Sequence, residues 1–245
     1  MFKTATRILA MFVLTSAVLV GGHVSHVSAD APKYDVELAD FAAHLMVLSP
    51  EELPGDGWDT TATDKFEDSS DDIPNTQACK DSALKTKALE DNISSSRAGR
   101  AQVELTQNVS AKGPTQVQST ADVYKTADAL KGFVDANKVI YQGGAFKDCL
   151  LATFKSATND DGITLKSVDP SSSAPSNGFA VAFEVNLPSI KSTMRFEFYG
   201  WSDDNGLFSV SVNGDPSQVK SSLTDQALQS MVISEAIVGA ASNTP

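Results

Sequence analysis

The sequence predicts an α+β domain in which an antiparallel β-sheet carries helices packed on one face. Three observations lead there. Phe179, Val181, Phe183, Val185 and Leu187 alternate without a miss, the period of a half-buried strand. Met194, Phe196 and Phe198, then Phe208, Val210 and Val212, repeat that pattern on either side of the short turn Asp203-Asp204-Asn205-Gly206-Leu207. Helix-period apolar stripes stand at both ends of the chain, and short-linked strands favour antiparallel pairing.

The elements follow in order. Lys3 and Arg7 precede an apolar run from Ile8 to Val20, interrupted only by Thr15 and Ser16. Val27-Ser28-Ala29 then offers a cleavage site, with a second after Ala31. This is the pattern of a secretory signal peptide over residues 1–29, followed by one secreted domain over 30–245 with its core near 35–239. No cysteine follows the cut, so a bacterial lipoprotein anchor is not expected. No later run is long enough to span a bilayer; the most apolar, Met231 to Ala241, contains Glu235.

Asp35 to Val47 reads as a helix with Leu38, Phe41, Ala42, Leu45 and Met46 on one face. Ser49-Pro50-Glu51-Glu52-Leu53-Pro54-Gly55 ends it, with Trp58 just beyond. Residues 59–78 are polar and acidic and read as a surface loop. Asp81 to Leu89 suggests a short helix. Ala101, Val103 and Leu105 alternate with Gln102, Glu104 and Thr106, and a second strand lies at Val117 to Tyr124, across a turn at Gly113-Pro114.

Thr126 to Asn137 predicts a helix burying Leu130, Phe133 and Val134. Phe146 to Phe154 predicts another, with Phe146, Cys149 and Leu150 on one side. A weak strand covers Ile163 to Val168, and Ser171 to Ser176 reads as a flexible loop. At the hairpin, a three-residue loop (Asp204, Asn205, Gly206) sets Phe198 opposite Val212 and closes an apolar face, with Gly206 left-handed in a bulge. Asp215-Pro216 looks like a helix start, and Thr224 to Val238 closes the chain on Leu228, Met231, Val232 and Ala236.

Charge and cysteines narrow the function. Of 19 basic and 31 acidic residues the signal segment holds only Lys3 and Arg7, so 17 and 31 remain, a formal charge of −14. Such a surface gains nothing from a phosphate backbone or an anionic leaflet, so neither nucleic acid nor stable membrane insertion after cleavage is expected. Cys79 and Cys149, in an oxidising compartment, read as one structural disulfide.

Catalytic patterns are thin. Once His23 and His26 leave with the signal segment, His44 is the only histidine, and it sits at the edge of the first helix's apolar stripe, where it reads as structural. With one histidine and one cystine there is no zinc-type ligand set, and no metal or cofactor is expected. Ser82-Ala83-Leu84-Lys85 and Ser217-Gln218-Val219-Lys220 match S-x-x-K, yet neither S-D-N nor K-T-G accompanies them. Asp203-Asp204-Asn205-Gly206 has the wrong spacing for a calcium loop. Asn92 and Asn108 head formal glycosylation triplets.

One cluster suggests binding. The back of the hairpin carries Arg195, Glu197, Tyr199, Trp201 and Leu207, aromatic and charged together. It reads either as cross-strand pairing or as a shallow site for a small apolar or sugar-like ligand.

Leu48-Ser49-Pro50-Glu51-Glu52-Leu53-Pro54-Gly55-Asp56-Gly57-Trp58, the run from Val123-Tyr124 into the helix at 126–139, and Phe146-Lys147-Asp148-Cys149 carry a resemblance. Over residues 38–238 the chain resembles the extracellular sensor domain of mycobacterial receptor serine/threonine kinases and their stand-alone secreted and lipoprotein relatives. The resemblance implies a curved antiparallel sheet with helices packed on it, a disulfide and a ligand-binding cleft. The chain departs from it in having no kinase domain, no membrane anchor, and one cysteine pair where relatives often carry two. No ligand residues transfer.

The function expected is a secreted, non-catalytic domain that binds a ligand or an envelope protein. The alternatives are a surface-interaction protein without a small-molecule pocket, and a hydrolase, for which the sequence supplies no base–nucleophile pair.

Overall fold

Alternation on both sides of the same strands decides the architecture. The computed structural model describes residues 36–64, 76–81, 85, 89, 93–108, 113–127 and 130–242. Seven strands, β1 (Trp58–Thr63), β2 (Arg97–Gln107), β3 (Thr115–Tyr124), β4 (Thr164–Val168), β5 (Gly178–Leu187), β6 (Ser192–Asp203) and β7 (Gly206–Gly214), form one sheet. Their order is β1-β2-β3-β7-β6-β5-β4, with every neighbouring pair antiparallel. Two meanders, β1–β3 and β4–β7, therefore meet at the β3–β7 seam.

The expected α+β class, antiparallel sheet and single disulfide are present. The helices, however, are shared between both faces. On one face lie α1 (Val36–Met46) and α4 (Ser221–Ser242), packed with Trp201, Phe208, Val210 and Val212. On the other lie α2 (Leu130–Gln142) and α3 (Gly144–Thr158), over Phe179, Phe183, Phe196 and Phe198. A single helical layer would have left one of these apolar sets in water.

The hairpin shows why. Asp203 pairs with Gly206, so the loop is two residues, not three, and the positive φ (42°) falls on Asp204 rather than Gly206. Phe198 consequently faces Ser211, while Trp201 faces Phe208 and Tyr199 faces Val210. The apolar residues of β6 and β7 that seemed to share a face belong to opposite ones, because β6 is apolar on both.

Other expectations shift too. In α1 the buried residues are Ala39, Ala42, Ala43 and Met46, whereas Leu38, Phe41 and Leu45 are exposed. The cause is close packing: a Cβ on Gly99 of β2 would lie 2.3 Å from the Ala39 carbonyl, a separation only small side chains permit. In α4 the buried stripe is Leu223, Ala227, Leu228 and Met231, and Val232 and Ala236 are exposed. Asp215 heads a separate turn, its carbonyl accepting from Gln218 and Val219, before α4 begins at Ser221.

β1, read as loop, is an edge strand with both faces largely in solvent, so its sequence does not alternate. Ser171 and Ser172 are pinned to Glu197 and Tyr199, so this end of the expected flexible loop is fixed. The Cys79–Cys149 disulfide (Cα–Cα 4.6 Å) ties the helical residues 77–81 to α3. The signal segment, Ser82–Leu84 and Asn92 lie outside the described residues. Asn108 is exposed just after β2.

Candidate ligand-binding cleft

The strand period splits the suggested cluster. Arg195, Glu197, Tyr199 and Trp201 point from β6 towards α1 and α4, and Leu207 points to the other face. The structure does not bring the five together. Glu197, Tyr199 and Trp201 are buried. Glu197 accepts from Arg195 Nε (2.6 Å), the Tyr199 hydroxyl (2.7 Å), and the backbone N–H and hydroxyl of Ser171 (3.0 and 2.6 Å). A buried carboxylate so fully satisfied is a structural latch that fixes the 171–172 loop to the sheet. Trp201 stacks on Phe208 and donates to Glu235 Oε2 (3.1 Å). His44 is exposed, its ring nitrogens within 2.8 Å of the Asp40 carbonyl and of Asp64, which together push its pKa up.

The opposite face behaves differently. Register makes it a grid in which Gln118, Ser211, Phe198 and Val181 form one row across β3, β7, β6 and β5. Thr120, Ser209, Gly200 and Phe179 form the next, and Asp122, Leu207 and Ser202 a third. The first two rows run from polar side chains on β3 and β7 to apolar ones on β5 and β6, with the change at the β7–β6 seam, and Leu207 closes the third.

Above that seam crosses α2. Between helix and sheet lies a small cleft of about 40 Å³, open to solvent at its mouth. Phe133, Val134, Tyr141, Phe179 and Phe198 line its apolar end, and Gln118, Thr120, Asp122, Asn137, Ser209 and Ser211 its polar side. Tyr141 stacks on Phe179 and Phe198 (centroids 5.5 and 5.9 Å). Gly200 leaves the space that the Phe179 ring occupies, since a Cβ there would sit 2.7 Å from the ring.

Asn137 is 3% exposed, yet only half of its amide is used. Nδ2 donates to the Phe133 carbonyl (3.0 Å), and Oδ1 has no hydrogen-bond partner. Because that carbonyl can only accept, the orientation of the amide is fixed with the oxygen left over. Asp122 is the only carboxylate among the described lining residues, and it is 3.2 Å from both Arg97 Nε and Arg100 Nε.

The signal for this site was present in the sequence as the polar positions of β3 and β7 (Gln118, Thr120, Ser209, Ser211). Only the β3–β7 pairing makes them one surface, and that pairing spans the whole crossover.

At fold level one solved structure is similar. It is the extracellular domain of PknH from Mycobacterium tuberculosis. The match has a TM-score of 0.48 at 12% identity, covering 82% of this chain and 97% of that one. A likeness this distant transfers no residue role. No family model matches the chain, and no curated protein matches it in sequence.

Proposed function

We propose that the protein is an exported, non-catalytic domain that binds a small molecule in the cleft between α2 and the β3–β7–β6 floor. The observation that carries this reading is Asn137, which lines the partly apolar cleft and whose buried Oδ1 has no hydrogen-bond partner. Native proteins pair nearly all buried polar atoms, so an unpaired one beside a cavity is a contact awaiting a ligand. Export is supported by the N-terminal sequence and by the disulfide. The non-catalytic reading is supported by the single mature histidine being held in surface ion pairs away from the cleft.

The test is titration of the mature chain with the neutral fluorophore N-phenyl-1-naphthylamine. Saturable one-to-one binding in the wild type, lost in Ser209→Phe with an unchanged circular dichroism spectrum, is expected. No saturable binding, or binding indifferent to that substitution, overturns the reading.

A second reading, a surface-interaction protein, is favoured by a different observation. Leu38, Phe41 and Leu45 of α1 and Ile233 and Ile237 of α4 are each more than half exposed.

A further inference from the structure

We infer that the cleft accommodates a neutral amphipathic molecule, its apolar tail among the aromatic rings of β5, β6 and α2 and a hydroxyl-bearing head at Asn137. This deepens the reading of the cleft as a binding site and rests on it.

The first argument is the floor. Phe179 and Phe198, with Tyr141 stacked over them, make an end with no hydrogen-bonding group to offer a polar ligand along its ring faces. Across β7 the same floor becomes Ser209 and Ser211, then Thr120 and Gln118 on β3. A ligand apolar throughout would strip water from these groups without replacing it, and a ligand polar throughout would gain nothing from the rings. Only a molecule with two unlike ends satisfies both.

The second argument is Asn137. Its free atom is an acceptor, so the group that completes it is a donor, an O–H or N–H. The serine and threonine hydroxyls of the same lining can donate or accept, which suits a head carrying several hydroxyls, as a sugar does.

The third argument is charge. Among the described residues no Lys, Arg or His lines the cleft, and Asp122 is held by two guanidinium groups. An anionic head would meet a carboxylate and no cation at the surface. A cationic head would have to draw Asp122 from its arginines. The formal charge of the chain, −12, further disfavours anions. A neutral head incurs neither conflict.

Three probes sharing one tail separate the possibilities: octyl β-D-glucoside, octanoate and octyltrimethylammonium, each titrated below its micelle concentration into the mature protein. Calorimetry is expected to give glucoside affinity at least tenfold above the two ions. Asn137→Leu is expected to weaken the glucoside about tenfold, the scale of one hydrogen bond, with the circular dichroism spectrum of the wild type retained. Asn137→Ala serves as the second variant if the leucine disturbs α2. Equal or tighter binding of either ion overturns the neutral head, and unchanged glucoside binding in both variants overturns the role of Asn137. Failure of every probe, the naphthylamine included, overturns the cleft itself, which is a separate result.

Discussion

Phe198 of β6 lies directly opposite Ser211 of β7, and across this pair the inner face of the sheet passes from aromatic to polar. Cross-strand neighbours in a buried sheet are normally matched in polarity, since each protects the other from water. Here the mismatch repeats one row on, where Phe196 faces Asn213. The Phe198–Ser211 pair lines the cleft under α2, so the same register that builds the sheet also builds the site.

Gly99 is the point where α1 approaches β2 most closely. A Cβ there would meet the backbone of Ala39 at 2.3 Å, and neither partner is the flexible end of a side chain. Gly99→Ala is therefore expected to destabilise the protein by about 2 kcal/mol, within the range for overpacked cores. The urea midpoint measures it. A change below about 0.5 kcal/mol would mean that α1 moves freely away from the sheet.

The disulfide closes a loop of 70 residues between the chain's two halves. On the chain-entropy model its removal costs roughly 4 kcal/mol. The Cys79→Ser/Cys149→Ser protein should unfold at a correspondingly lower urea concentration than the oxidised wild type, and reduction of the wild type with dithiothreitol should reproduce the loss.

Glu235 ties stability to pH. Partial burial, then the hydrogen bond and charge of Asp203, push its pKa up to about 7 against the lowering effect of the Trp201 N–H. The folded state therefore binds this proton more tightly than the unfolded state, whose pKa is near 4.5. Stability should be greatest below about pH 4.5 as far as this group is concerned, fall between 4.5 and 7, and level off above. His44 acts in the same direction: its raised pKa stabilises the fold below its ordinary value of 6.5, and that contribution is lost as pH rises through the folded value. Melting temperatures from pH 5 to 8 should decline in the wild type and decline less in Glu235→Gln. Adding His44→Gln should remove most of the remainder. A wild-type profile that rises over this range would contradict both assignments.

Much of the fold was legible because strand alternation and helix periodicity report burial locally. Phe179 to Leu187, Leu130 with Phe133 and Val134, and the Cys79–Cys149 pair all lie where their patterns place them. What failed was information held between elements. Nothing local tells Tyr199 and Trp201 that α4 covers them, and nothing in β3 announces that β7 is its neighbour. Asn137 reads as an ordinary polar helix residue until Phe133 and the sheet enclose it. The site was harder to read than the fold because it is made wholly of such pairings.

The first helix offers the sharpest test of this distinction. By size and spacing, Leu38, Phe41 and Leu45 look like its core face, yet they are 52%, 60% and 52% exposed, whereas Ala39, Ala42 and Ala43 are at most 4% exposed. The small face wins because it allows backbone-close contact with Gly99, and the bulky one would hold the helix off the sheet. Phe41→Ser should accordingly change stability by no more than about 0.5 kcal/mol, as at an ordinary surface position. Ala43→Leu should cost at least about 2 kcal/mol by overpacking the buried side. The ratio of the two effects is the measurement that matters. If Phe41→Ser proves the more damaging, the helix is rotated towards the arrangement its sequence suggests, and its close contact with Gly99 is lost with it.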